Sequence, residues 1–119
     1  MGGVLALLSA MPADNSITHE GDTVVVNTRT IAKAVEGYNG NTPVKIFIKK
    51  DKIVKVEAQK NNETPQYFAR AKAVLKKFEG KDVSKVKSLK VDGVTGATLS
   101  SDALIQNVKK GVAYYQENK

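Results

Sequence analysis

The sequence predicts an α+β domain in which helices pack on an antiparallel sheet. Apolar residues alternate with polar ones across residues 44–58, on both sides of a short charged turn, which indicates a β-hairpin with one buried face. Two later stretches, residues 64–80 and 100–117, carry apolar residues at helical spacing. Strands followed by interspersed helices are typical of this fold class.

Length and composition fit a single globular domain. The chain has 119 residues, of which 41% are hydrophobic and 26% charged, so a packed core is expected and wholesale disorder is not. The sequence has no apolar run of about 18 residues, the length that a membrane span needs. It has no cysteine, which excludes disulfides and thiolate metal sites, and its single histidine, His19, leaves little scope for histidine-based catalysis.

The charge balance is basic but does not indicate a nucleic-acid partner. The net charge is +7, and only Arg29 and Arg70 are arginines. Proteins that bind nucleic acids use arginine for bidentate contacts and aromatic rings for stacking, and this chain has few residues of either kind. The lysines are interpreted mainly as solubilising charge, with attraction to acidic partners or anionic lipid as the alternative.

An N-terminal segment, residues 1–22, precedes the predicted domain of residues 23–119. Residues 4–8 are apolar and are followed by small residues, as in the hydrophobic part of an export signal, although no basic segment precedes them. The segment is therefore either an export-signal remnant, or a short buried segment or N-terminal arm. Residues 14–22 are predicted to be polar and turn-like.

The sheet elements follow in chain order. The β-branched run Thr23–Asn27 predicts a strand, residues 28–36 a short helix or loop, and residues 37–43 a loop rich in turn formers. The hairpin turns at Lys50-Asp51-Lys52. Its buried face is expected to consist of Val44, Ile46, Ile48, Val54, Val56 and Ala58.

Two helices complete the predicted domain. The first begins at Pro65 with Thr64 as its N-cap and ends at Gly80. Residues 81–90 are weakly patterned, with a strand around residues 89–91. The second helix covers residues 100–117. The expected buried residues are Tyr67, Ala71, Val74, Leu75 and Phe78 in the first helix, and Leu104, Ile105, Val108, Val112 and Tyr115 in the second.

Residues 92–101, DGVTGATLSS, are the part of the sequence best suited to bind a ligand. Gly93 and Gly96 permit positive φ and the close approach of a ligand to the backbone. Hydroxyl side chains cluster there, next to the free N–H groups of the following helix, a place that suits a phosphate. Ordinary helix capping accounts for the same hydroxyls. The stretch is not a P-loop, because no lysine follows the glycines in the required order.

Residues 92–98, DGVTGAT, resemble the D-x-x-[ST]-G-A-[ST] flavinylation motif of the FMN-binding domain family. That domain occurs in one component of the sodium-translocating NADH:quinone reductase, in one component of the Rnf complex and in small exported flavoproteins. The Gly37-Tyr38-Asn39-Gly40 loop before Pro43, and the E-T-P at residues 63–65, are similar to further features of the family and occur in its order. The resemblance covers roughly residues 23–115.

The resemblance implies an FMN attached covalently to Thr98 through a phosphoester, installed by a separate FAD-dependent FMN transferase that uses magnesium. No resident metal site is expected. Asp92 either helps to hold the transient magnesium or polarises the Thr98 hydroxyl during transfer, or it caps the turn. Lys90 is a candidate partner of the phosphate. The implied cofactor-binding residues are Thr98, Thr95, Gly96, Ala97, Asp92, Thr64, Glu63 and Leu99.

The flavin ring needs an apolar shelf and a polar contact. Thr64 is the candidate for the polar contact. Tyr67, Phe68 or Leu99 is expected to supply the shelf, with core packing favoured for Tyr67.

The implied function is a small exported electron carrier at the bacterial periplasm or cell surface. It would relay electrons between redox partner proteins at the membrane and have no dedicated substrate. One alternative is a lysine-rich module without flavin that binds acidic partners, and another is a flavoenzyme that reduces its own substrate.

Overall fold

The computed structural model describes residues 16–37 and 39–118. Four strands form one antiparallel sheet in the order β1–β2–β3–β4, which confirms the predicted α+β class. The strands are β1 Ile17–Glu20, β2 Thr23–Asn27, β3 Val44–Lys49 and β4 Lys52–Ala58. The prediction of an export segment falls in residues 1–13, outside the described residues.

Helices pack against this sheet. The elements are α1 Thr28–Ile31, α2 Pro65–Ala71, a 3₁₀ segment Lys72–Phe78 that continues α2 directly, α3 Val83–Val86 and α4 Thr98–Glu117. The long helix α4 contacts β2 and β3 as well as α1, α2, α3 and the 3₁₀ segment, so it lies at the centre of the packing. Among the residues that the structure describes, none belongs to a helix with the length and hydrophobicity of a membrane span.

The strand β1 replaces the turn predicted for residues 14–22. It pairs with β2 from Ile17 to Glu20, and three of its four residues are exposed. A strand stabilised by ladder hydrogen bonds rather than by a buried face leaves no apolar alternation in the sequence, so the turn prediction was wrong. The strand predicted around residues 89–91 is absent from the described structure, where Leu89 and Val91 pack against the core from an irregular segment.

The predicted hairpin is confirmed, with a displacement in its second strand. Ile48 pairs with Ile53 and Phe47 pairs with Lys55, so Val54 is an extra residue in a β-bulge. Ile53 is buried, whereas Val54 is 51% exposed. The prediction that Val54 is buried was wrong, because the bulge shifts the alternation of the strand by one residue.

The first predicted helix begins at Pro65 as expected, but its buried face starts one residue later. Thr64 has the N-cap conformation, while its hydroxyl makes no capping hydrogen bond within the described residues. Phe68 is buried in the core and Tyr67 is 45% exposed. The buried positions from Ala71 onwards are at helical spacing from both Tyr67 and Phe68, so spacing alone did not distinguish the two. The prediction that Tyr67 is buried was wrong.

The helix α4 approaches the sheet closely at Gly111. A Cβ atom on Gly111 would lie 2.5 Å from Ile46 Cδ1 and 2.8 Å from Thr28 Cγ2. Both neighbours are buried side chains that have no room to withdraw. Glycine at this position therefore sets the distance between α4 and β3. The residues of α4 that were predicted to be buried are all buried.

We expect Gly111→Ala to destabilise the fold by about 1–3 kcal/mol, because overpacking outweighs the gain of about 1 kcal/mol in helix propensity. Urea denaturation measures the difference. The exposed Ala113 provides the control, since Ala113→Gly changes helix propensity without touching the sheet. A stabilised Gly111→Ala variant would contradict the tight contact.

Polar contacts fix α4 at its middle and at its end. In the middle, the buried Thr28 Oγ1 donates to Asn107 Oδ1 at 2.6 Å. Near the end, Tyr115 Oη donates to Asp51 Oδ1 at 2.6 Å, which ties the helix to the hairpin turn. The beginning of α4, which directly follows residues 92–97, thus belongs to a helix that is anchored to the sheet.

The Tyr115 contact predicts a pH dependence of stability. Burial, aided by the hydrogen bond to Asp51, raises the pKa of Tyr115 from 10.0 to about 12. Since the folded state holds this proton more tightly than the unfolded state, the stabilisation is complete below about pH 10 and is lost as the pH rises through about 12. We expect the difference in unfolding free energy between wild type and Tyr115→Phe to shrink across this window. Denaturation at several pH values measures this difference. The lysines titrate in both proteins, so their effect cancels in the comparison. A difference that stays constant across the window would disprove the raised pKa of Tyr115.

Candidate functional site

The motif residues form a β-turn that leads into α4. The N–H group of Ala97 donates to the carbonyl oxygen of Val94 at 2.9 Å and closes the turn. Gly96 occupies the third position of the turn with φ +87°, as a type II turn requires. Thr95 and Gly96 are exposed at its tip, and Ala97 is buried beneath them.

Ser101 holds this turn against the helix. Its buried Oγ accepts from the N–H group of Val94 at 3.0 Å and donates to the carbonyl oxygen of Thr98 at 3.2 Å. A Cβ atom on Gly93 would lie 2.9 Å from the same Oγ. Glycine at position 93 therefore lets the chain pass close to Ser101, whose hydroxyl serves the turn itself.

Thr98 is the first residue of α4, and it is exposed. The N-cap residue is Ala97, whose side chain has no polar atom. The first N–H groups of an α-helix have no intrahelical acceptor, and they carry the positive end of the helix dipole. The Thr98 hydroxyl thus stands beside backbone donors that no N-cap side chain satisfies.

A shallow pocket of about 380 Å³ opens beside Thr98. It is lined by Tyr67, Gly96, Ala97, Thr98, Leu99 and Ser100. Tyr67 is 45% exposed and Leu99 is 58% exposed, so two large apolar side chains flank the threonine without being covered. Of the three residues proposed for an apolar shelf, Tyr67 and Leu99 lie at the pocket, and Phe68 lies in the core.

Glu63 connects three segments of the chain. Its Oε1 accepts from Ser100 Oγ, and its Oε2 accepts from the N–H group of Asn39 at 2.5 Å. A Cβ atom on Gly37 would lie 2.5 Å from Oε1, so the glycine-rich loop packs directly on the carboxyl group. The loop, the E-T-P and the motif helix, which are far apart in the sequence, meet at this buried side chain.

The neighbouring Thr64 is half-buried, and its Oγ1 accepts from Asn39 Nδ2 at 3.5 Å. This contact holds the same loop from a second side. Neither Thr64 nor Glu63 lines the pocket beside Thr98, and both contact segments next to it, through Asn39 and Ser100.

Asp92 and Lys90 lie on a different surface. They line an open groove of about 800 Å³ together with Asp102, Lys87 and Lys109. In the described part of the chain, this groove shares no lining residue with the pocket beside Thr98. The structure therefore brings Gly96, Ala97 and Leu99 together with Thr98 at the pocket, leaves Thr95 at the exposed tip of the turn, and places Asp92 and Lys90 in a separate groove.

Arg70 is a site residue that sequence reasoning missed. Its Nη1 lies 2.9 Å from the position that a Cβ atom on Gly96 would occupy, so its guanidinium group rests against the motif turn. Arg70 follows Tyr67 by three residues in α2, which places both side chains on one face of the helix. That spacing was readable in the sequence, but nothing in the sequence indicated that this face meets the motif.

Comparisons with known proteins match the same region. A family model described as the FMN-binding domain matches residues 37–113. The G component of the ion-translocating oxidoreductase complex of Shewanella piezotolerans is 30% identical over 116 residues, which cover 86% of this chain and 54% of the relative. The chain thus spans about half the length of this curated relative. The matched range includes all three segments that meet at Glu63.

Proposed function

Because the chain belongs to the FMN-binding domain family, we propose that it is an electron-transfer protein that carries one FMN in phosphoester linkage to Thr98. The observation that carries the proposal is the position of Thr98, an exposed hydroxyl at the start of α4 beside a pocket with two uncovered apolar side chains. A bound flavin supplies reversible electron transfer, while the protein sets its orientation and its access to solvent.

The residues present fit both parts of this cofactor. Backbone N–H groups at the start of α4 suit a phosphate, and glycine at position 96 lets the Arg70 guanidinium group lie against the turn. Tyr67 and Leu99 offer apolar surface for the ring. The chain would bind the phosphate through the helix start and hold the ring over these two side chains, with Thr64 and Glu63 fixing the segments behind them.

Attachment requires a second enzyme, an FAD-dependent FMN transferase that uses magnesium. The Thr98 oxygen forms a bond to the phosphorus of the FMN moiety, the phosphoanhydride bond of FAD breaks, AMP leaves and the hydroxyl proton passes to a base. Thr98 needs access for this step, and its exposure on a glycine-flanked turn supplies it. Asp92 either helps to hold the magnesium or polarises the Thr98 hydroxyl during transfer, or it caps the turn.

We propose that the redox partners lie at the membrane and that the domain works outside the bacterial cytoplasm, in the periplasm or at the cell surface. The similarity to one component of an ion-translocating oxidoreductase complex supports the first part. The net charge of +7 supports encounters with acidic partner surfaces.

The intact mass of the denatured protein tests the cofactor assignment. Co-expression with the transferase is expected to add the mass of one FMN less one water, and omission of the transferase is expected to leave the chain unmodified. An unmodified chain in both cultures, with the transferase shown to be active on another substrate protein, would overturn the covalent assignment. Release of free FMN on denaturation would point to non-covalent binding instead.

A further inference from the structure

The helix α2 presents two different faces. Phe68 and Ala71 face the core and are 9% and 0% exposed. Tyr67 and Arg70 are exposed on the other side, where Tyr67 lines the pocket beside Thr98 and Arg70 rests against Gly96. Packing accounts for the first pair. The second pair is directed at the motif turn, and core packing does not explain the position of Arg70.

The guanidinium group of Arg70 lies at the motif turn. Within the described residues it forms no hydrogen bond and no ion pair, and its Nη1 is 2.9 Å from the Cβ position of Gly96. A guanidinium group has five N–H donors in a planar fork that matches the oxygens of a phosphate. Gly96 thus meets two requirements, since it permits φ +87° and leaves room for this group.

We propose that Arg70 binds the phosphate group of the attached FMN and thereby holds the flavin against Tyr67; this inference rests on the proposed attachment at Thr98. A phosphodiester carries a negative charge that the α4 dipole neutralises only in part. Lys87, Lys90 and Lys109 line the separate groove, whereas Arg70 touches the turn at Gly96, which is one of the residues that line the pocket. Its fork binds two phosphate oxygens at once, which fixes an orientation that a single ammonium group leaves free.

Three variants of the flavinylated protein test this role. Arg70→Gln removes the charge, Arg70→Lys keeps the charge but loses the fork, and Arg29→Gln serves as the control, because Arg29 is an exposed arginine on α1 that contacts Gln59. Intact mass first gives the flavinylated fraction of each protein. Phosphorus NMR then reports the environment of the phosphodiester, and the fluorescence anisotropy of the flavin reports the mobility of the ring.

For Arg70→Gln we expect a shifted phosphorus resonance and a loss of flavin anisotropy, for Arg70→Lys a smaller change of both, and for Arg29→Gln the wild-type values. Flavinylated Arg70→Gln with the wild-type resonance and anisotropy would overturn the role of Arg70 and leave the attachment at Thr98 intact. A wild-type protein that never acquires FMN would overturn both. A folded Arg70→Gln that fails to acquire FMN while Arg70→Lys acquires it would also support a phosphate contact.

Discussion

Replacing Thr98 with alanine is expected to abolish covalent flavinylation, and Thr98→Ser is expected to retain it. Alanine has no oxygen to bond to phosphorus, whereas serine keeps the hydroxyl at the same place on α4. Because Thr98 is exposed, its loss should change stability by no more than about 0.5 kcal/mol. Flavin fluorescence of the denatured chain in a gel, after co-expression with the transferase, measures the effect.

The neighbouring hydroxyls provide the matched controls. Thr95 is exposed in the same turn, so Thr95→Ala tests whether this second hydroxyl, rather than Thr98, is the attachment point. Ser101 is buried and engaged with Val94 and Thr98, which makes it a poor acceptor. Peptide mapping that places FMN on Ser100 or Ser101, or label that persists in Thr98→Ala, would refute the assignment to Thr98.

The elements that the sequence predicted well are those in which a buried face produces a regular spacing. The strand Thr23–Asn27 has the predicted bounds, and the apolar stripe of α4 is buried as expected. The misses occur where another effect decides the structure. A bulge exposes Val54, pairing with β2 creates a mostly exposed β1, and tertiary packing selects Phe68 over Tyr67.

The candidate site divides in the same way. Thr98, Gly96 and Leu99 were predictable as site residues, because they are neighbours in the sequence. The turn and the helix start that hold them depend only on adjacent residues. The contact of Arg70 with Gly96 joins two elements 26 residues apart, and the orientation of α2 that creates it depends on the burial of Phe68. Sequence spacing alone does not set that orientation. Glu63 was assigned to the cofactor, and the geometry adds that its carboxyl group holds two segments around the pocket.

This position of Glu63 predicts that Glu63→Ala has the largest effect on stability among the residues around the site. The change removes the acceptor of Ser100 Oγ and of the Asn39 N–H group and leaves a buried gap, at an expected cost of about 3 kcal/mol. In Glu63→Gln the amide oxygen accepts from Asn39 and the amide nitrogen donates to the Ser100 oxygen, so we expect a cost of about 1 kcal/mol. Denaturation by urea measures both values.

The same pair of variants separates a purely structural role from a role in positioning the motif. Ser100 lies two residues after Thr98, so loss of its contact with Glu63 loosens the helix start that the transferase must recognise. At a temperature where both variants are folded, we expect the flavinylated fraction to fall in Glu63→Ala and to stay near wild type in Glu63→Gln. Glu79→Ala, at an exposed carboxyl group, is the control. A folded Glu63→Ala variant that is flavinylated as fully as wild type would show that Glu63 contributes only to stability. An unchanged unfolding free energy would refute the conclusion that its contacts with Asn39 and Ser100 hold these segments together.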